Sequence, residues 1–156
     1  MRPLSLILSL GLALLSLAST SSGAGKAVAT ADGETPDTRA EITELKRTSG
    51  DQVMLRFTIV NESAKPFLIG GSMAEAGQNK DFATISGVHL LDTTNKKKHF
   101  VLRDTEGHCV CSKGLKDIKP KESINVWARF PAPPDGAKVT VVIPHFVPAD
   151  DVAISR

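Results

Sequence analysis

The sequence predicts an all-β fold, an antiparallel β-sandwich of about seven short strands over residues 39–156. Three observations carry that prediction. Apolar residues alternate with polar ones in one segment after another, which is the period of a strand with one face on a core. Clusters of Gly, Pro, Asn, Asp and Ser separate these segments at short intervals, as hairpin turns require. No stretch of ten or more residues carries the period of an amphipathic helix. Strands without helices bury their apolar faces by packing sheet on sheet.

The alternation is clearest over residues 52–60, where Val53, Leu55, Phe57 and Ile59 share a face and Arg56 and Thr58 take the other. Residues 40–47 form its expected partner, joined through the turn-forming tetrapeptide Thr48-Ser49-Gly50-Asp51. Asn61-Glu62-Ser63-Ala64-Lys65-Pro66 breaks the strand, and Phe67-Leu68-Ile69 begins another. Residues 71–83 lack a pattern and read as a loop or short helical turn. A hairpin is expected from residues 88–91 and 99–102 around Asp92-Thr93-Thr94-Asn95-Lys96. Residues 123–130 alternate again, with Ile124, Val126, Ala128 and Phe130 on one face. Pro131-Ala132-Pro133-Pro134-Asp135-Gly136 is a rigid turn into a strand at 138–143, and residues 152–154 are a candidate closing edge strand.

The N-terminus obeys different rules. Arg2 precedes a Leu-dominated apolar run over residues 4–18, and small residues follow. That order is the signature of a secretory signal peptide, here residues 1–24 with Ser22-Gly23-Ala24 at the expected cleavage site. Ser16-Leu17-Ala18 is a second candidate site. The run is short for a membrane span and no basic cluster follows it, so no stable span is expected after cleavage. Cleavage would remove Arg2 and much of the Leu content, leaving a more polar chain with a net charge of +1. Residues 25–38 are rich in Ala, Gly, Thr, Asp, Glu and Pro and read as a flexible leader. The expected location is therefore periplasmic or secreted.

Composition narrows the function classes. The chain has 19 Lys and Arg against 17 Asp and Glu. That balance argues against a nucleic-acid partner, which calls for a strongly basic domain. With one Trp and no Tyr, the sequence lacks the set of aromatic platforms that sugar or single-strand binding uses. Trp127 reads instead as a core residue or a sheet-face anchor. No Gly-x-Ser-x-Gly elbow, His-Glu-x-x-His or phosphate loop is present, and Gly70-Gly71-Ser72 lacks an elbow's strand-to-helix setting. The acidic pairs Asp150-Asp151 and Asp104 with Glu106 lie in segments where carboxylates are solvated. The expectation is a non-enzymatic, monomeric chain without a cofactor. Lys96-Lys97-Lys98-His99 reads as a solvated turn that discourages edge pairing, with an anionic partner as the alternative. Asn61-Glu62-Ser63 matches a glycosylation sequon.

Several segments together carry a resemblance. Leu55-Arg56-Phe57-Thr58-Ile59-Val60-Asn61-Glu62-Ser63-Ala64-Lys65-Pro66 looks like the strand and turn of bacterial exported immunoglobulin-like domains. Four further segments are Val101-Leu102-Arg103-Asp104, Gly107-His108-Cys109-Val110-Cys111-Ser112, Ile118-Lys119-Pro120-Lys121-Glu122-Ser123 and Phe130-Pro131-Ala132-Pro133-Pro134. They resemble small exported lipoproteins and OmpA-associated envelope proteins, and Cys-x-Cys-Ser is their distinctive element. The lipid-attachment Cys of the lipoproteins is absent, so anchoring does not carry over. The resemblance implies an immunoglobulin-like β-sandwich acting as a binding or structural accessory with a protein or envelope partner.

Cys109 and Cys111 are the distinctive chemical feature. On a flat strand, side chains at i and i+2 stand too far apart for a disulfide, so pairing requires the backbone to turn at Val110. An oxidising compartment favours that pairing. The ring would close little chain and serve to shape one loop. Two alternatives use the same residues. His108, Cys109 and Cys111 offer ligands suited to copper or zinc, with a distant His as a further ligand. A redox-active dithiol is the other, although no helix follows to activate the thiol.

Overall fold

A computed structural model describes residues 26–77 and 82–156. The signal peptide expected over residues 1–24 lies outside them. Among the described residues, eight strands form two antiparallel sheets of four, stacked as a β-sandwich. The first sheet has the order β1 (Ala29–Asp32), β2 (Thr38–Thr48), β3 (Gln52–Asn61), β6 (Glu122–Pro131). The second has the order β5 (Lys97–Phe100), β4 (His89–Asp92), β7 (Lys138–Val142), β8 (Ala149–Ala153).

The alternation read from the sequence decides which face is buried. Val53, Leu55, Phe57 and Ile59 of β3 are all buried, and Val126, Ala128 and Phe130 of β6 lie opposite Phe57, Leu55 and Val53 in the adjoining strand. Leu90, Val139 and Val141 supply the facing side from the second sheet. Burying a Phe or Leu side chain stabilises the fold by roughly 1.5–3 kcal/mol, so this layer outweighs any single surface contact.

The hairpin between β2 and β3 turns at Gly50 and Asp51, both with positive φ. Gly accepts that backbone without cost, and Asp is among the residues that tolerate it best. A register shift between Ile42 and Glu44 puts an extra residue, Thr43, into β2. The outer edge of β2 changes partner across this bulge. Residues 39–42 pair with β1, whereas Leu45 and Arg47 exchange hydrogen bonds with Ser155 in a parallel bridge.

Three expectations need correction. The leader expected over residues 25–38 instead contributes strand β1, with Ala31 buried and the Val28 amide donating to Ile42. Only the small side chains of Ala29 and Ala31 face the core, too little to read as an apolar period, so the strand is fixed by the open edge of β2 and not by its own pattern. The strand expected at 67–69 is reduced to one bridge between Phe67 and Ile118. Pro66 offers no backbone donor, and Gly70, at positive φ, opens a 3₁₀ turn at Gly70–Met73. The hairpin strands begin and end differently from the expected residues. The turn takes four residues, so Lys97 and Lys98 belong to β5.

Gly87 is required by close backbone packing. A Cβ on Gly87 would lie 2.9 Å from the carbonyl oxygen of Ala74 and 3.0 Å from that of Met73, where the Gly87 amide makes its hydrogen bond.

Candidate functional site

The chain leaving β5 forms a small hairpin before it reaches the cysteines. The Asp104 amide donates to the His108 carbonyl, and the Gly107 amide donates to the Asp104 carbonyl. Gly107 has φ of 82°, the left-handed backbone this turn demands. The Asp104 carboxylate accepts from the amides of Glu106 (3.0 Å) and His108 (2.9 Å). The hydrogen bond from the His108 amide, above all, holds the Asp104 carboxyl below its ordinary range. Arg103 closes the other side, donating to the Gly107 carbonyl at 2.8 Å and pairing with Glu75 at 2.5 Å.

The strip that follows changes partner midway. Cys109 bridges Arg103 within the hairpin, and Cys111 bridges Ala128 on β6. Between them the Val110 amide donates to Leu102, and its carbonyl accepts from Arg129. The Ser112 amide donates to the Trp127 carbonyl at 2.9 Å, and the Ser112 hydroxyl accepts from the Trp127 amide at 3.0 Å. The change of partner supplies the bend at Val110 that a bond between i and i+2 needs. The two sulfurs sit at disulfide distance, and the Cα atoms are 5.4 Å apart, within the usual range for a disulfide. Cys109 is 1% exposed and Cys111 3%, so both point into the core.

His108 does not join them. Successive strand residues point to opposite sides. The His108 ring is 37% exposed, and its Nε2 lies 3.9 Å from Glu106, beyond hydrogen-bond range. His89 and His99 lie on the β4–β5 hairpin, and His145 pairs with Glu34 at 2.9 Å. Among the described residues no three His, Cys, Asp or Glu side chains are grouped to hold one metal ion. The dithiol is inward-facing and no helix follows it, whereas reactive thiols stand partly exposed in electropositive surroundings.

Trp127 stands between two concave surfaces. It is half-buried on the outer face of the first sheet, opposite Arg56 in the neighbouring strand. One concavity, of about 570 Å³, is lined by Thr43, Glu44, Arg56, Thr58 and Asn125 beside the indole. The bulge at Thr43 helps shape it, with the Thr43 hydroxyl donating to the Arg56 carbonyl. Arg56 and Glu44 pair at 3.1 Å, and the Thr58 hydroxyl donates to Asn125 at 2.6 Å. The other concavity, of about 580 Å³, is lined by Asp104, Val110, Ser112, Lys113 and Leu115 with the two cysteines behind them. Trp127 is therefore a sheet-face residue, one of the two roles its sequence context suggests.

Two residues emerge that sequence reasoning passed over. Asn61, the first residue of the glycosylation sequon, is fully buried. Its amide nitrogen donates to the carbonyls of Lys65, Ile118 and Lys119, and its oxygen accepts from Ser63. Phe100 reads as an apolar strand residue, yet it is 49% exposed with the Lys98 ammonium 4.9 Å above its ring. Its outward side follows from register, because it pairs with His89 and not with the fully buried Leu90.

No known protein-family model, curated protein or solved structure matches the chain. Among the described residues no helix is long and apolar enough to cross a membrane.

Proposed function

We propose that the chain is an exported, non-enzymatic immunoglobulin-like module that acts by binding, or as a structural accessory, in the cell envelope or secreted space. The observation that carries the reading is Trp127 between two concavities, on a sheet face whose margin is the cysteine strip. Amphipathic aromatics with an apolar body and a polar tip are favoured at interfaces, and the surrounding Arg56, Asn125 and Thr58 supply a polar rim. The cysteine pair suits this role by fixing the strip that forms one wall. Export is supported by the N-terminal pattern and by the resemblance of the Cys-x-Cys-Ser segment to exported envelope proteins.

The test expresses the full chain in its own organism with a photo-crosslinking residue at Asn125 or, as a control, at exposed Lys119. Fractionation and N-terminal sequencing of the product report export and cleavage. A discrete adduct from Asn125 that is absent from Lys119, and lost in Trp127→Ala, is expected. Exported and cleaved protein giving no adduct at either position would overturn the binding role. A product that keeps residues 1–24 and stays inside the cell would overturn export.

A further inference from the structure

The β4–β5 hairpin carries a second surface with a different chemistry. Lys96 occupies the turn, and Lys97 and Lys98 lie on β5, the edge strand of the second sheet. All three are exposed, and among the described residues none has a carboxylate partner. The carboxylate of the same hairpin, Asp92, is buried and accepts from Asn95, so it is already engaged. Beside the lysines Phe100 turns half its surface to solvent on the side shared with Lys98, His89 and the half-buried Leu91.

Lysines alone on an edge strand are explained by protection against pairing with another chain. An exposed phenyl ring on the same strand works against that purpose, so protection does not account for the whole surface. A soluble polyanion would use the ammonium groups and leave the ring in water. A bilayer of anionic lipid uses both, because its phosphates attract the lysines and its headgroup boundary takes an apolar side chain. We infer that the outer face of the β4–β5 hairpin, through Lys98 and Phe100 with Lys96 at the turn, docks the domain reversibly on an anionic lipid surface. The inference rests on the export reading, which places the domain beside such a surface, and it gives that reading a specific envelope partner.

The test uses the chain as its cell releases it, with its mass establishing whether residues 1–24 are present. Sedimentation is measured with vesicles of phosphatidylcholine alone and with phosphatidylglycerol added. Binding only to the anionic vesicles, weakening with salt, is expected. Neutralising a single lysine should reduce partitioning about five-fold. Lys96→Glu with Lys98→Glu should abolish it, and Phe100→Ser should reduce it roughly ten-fold. Lys46→Ala, an exposed lysine on β2 of the other sheet, should bind as the parent does, and circular dichroism checks that every variant is folded. Equal binding to neutral vesicles overturns the inference, as does an undiminished Phe100→Ser variant or binding to dextran sulfate but not to vesicles. If residues 1–24 are still attached, export fails as a reading while the comparison among variants stands, since all share that segment.

Discussion

At the scale of single residues, Asn61 and Asp104 show polar side chains doing what a backbone ladder cannot. Asn61 ends β3 and ties the Lys65 carbonyl of the loop that follows it, and the Ile118 and Lys119 carbonyls of a distant loop, to one buried amide. Asn61→Ala would remove one hydrogen bond from each of those acceptors and from Ser63, around a side chain that is itself fully buried. It should cost about 2–3 kcal/mol, measured by denaturant unfolding of the purified chain. No glycan can be attached there in the folded protein, because the acceptor nitrogen is enclosed. Asp104 makes the opposite kind of contribution, an exposed carboxylate whose charge is favoured by two amides. Its folded pKa lies below the unfolded value, so the stabilisation is present above about pH 4 and fades as acid carries the pH down through the folded value. The protection of the His108 amide, its NMR exchange rate set against the intrinsic rate at each pH, should fall over that acid range. In Asp104→Asn, which keeps an acceptor oxygen but cannot titrate, the acid dependence should vanish. The sequence identified Asn61 as a strand breaker but not its inward direction, because two of its partners, Ile118 and Lys119, lie nearly sixty residues away.

At the scale of elements, the cysteine strip was legible in kind and β1 was not. The requirement for a turn at Val110 follows from strand geometry alone, and the structure supplies it by handing the strip from the Arg103 hairpin to β6. What the sequence could not indicate is that β6 needed an edge partner at Trp127 and Arg129, which the strip provides. β1 escaped notice for a related reason: its place is set by what β2 lacks, not by its own residues. A bond spanning two residues removes little freedom from the unfolded chain. The double change Cys109→Ala with Cys111→Ala should therefore lower stability by only about 1–2 kcal/mol. Exchange of the Val110 and Ser112 amides should rise well before the rest of β6 opens. Thiol titration of the unreduced, unfolded parent should find no free thiol. Two free thiols would favour the copper, zinc or redox alternative instead.

At the scale of the whole molecule, the class of fold was the most legible quantity. Period-two alternation in β3, β6 and β7 depends only on neighbouring residues, so it survives without knowledge of the partner strands. Strand order, the bulge at Thr43 and the two surfaces beside Trp127 and Phe100 depend on register, which distant parts of the chain decide. Far-ultraviolet circular dichroism should give a β-dominated spectrum without helical minima. Substituting Phe57 with Ala, at the centre of the sandwich, should cost roughly 3–5 kcal/mol and unfold a marginal domain.

The parallel bridge from Ser155 to β2 bears on how this domain can be rewired. The Val28 amide meets β2 at Ile42, and Ser155 meets it at Leu45 and Arg47, so both ends of the described chain flank the same strand. Three residues of strand separate those points, a span of roughly 10 Å. A short Gly-Ser linker would close that gap, and new termini could be opened in the exposed Pro134–Gly136 turn. Such a circular permutant should fold with the same spectrum and nearly the same unfolding midpoint. The same adjacency suits the domain to insertion as a side-mounted unit within a loop of another protein, since the host chain would leave close to where it entered.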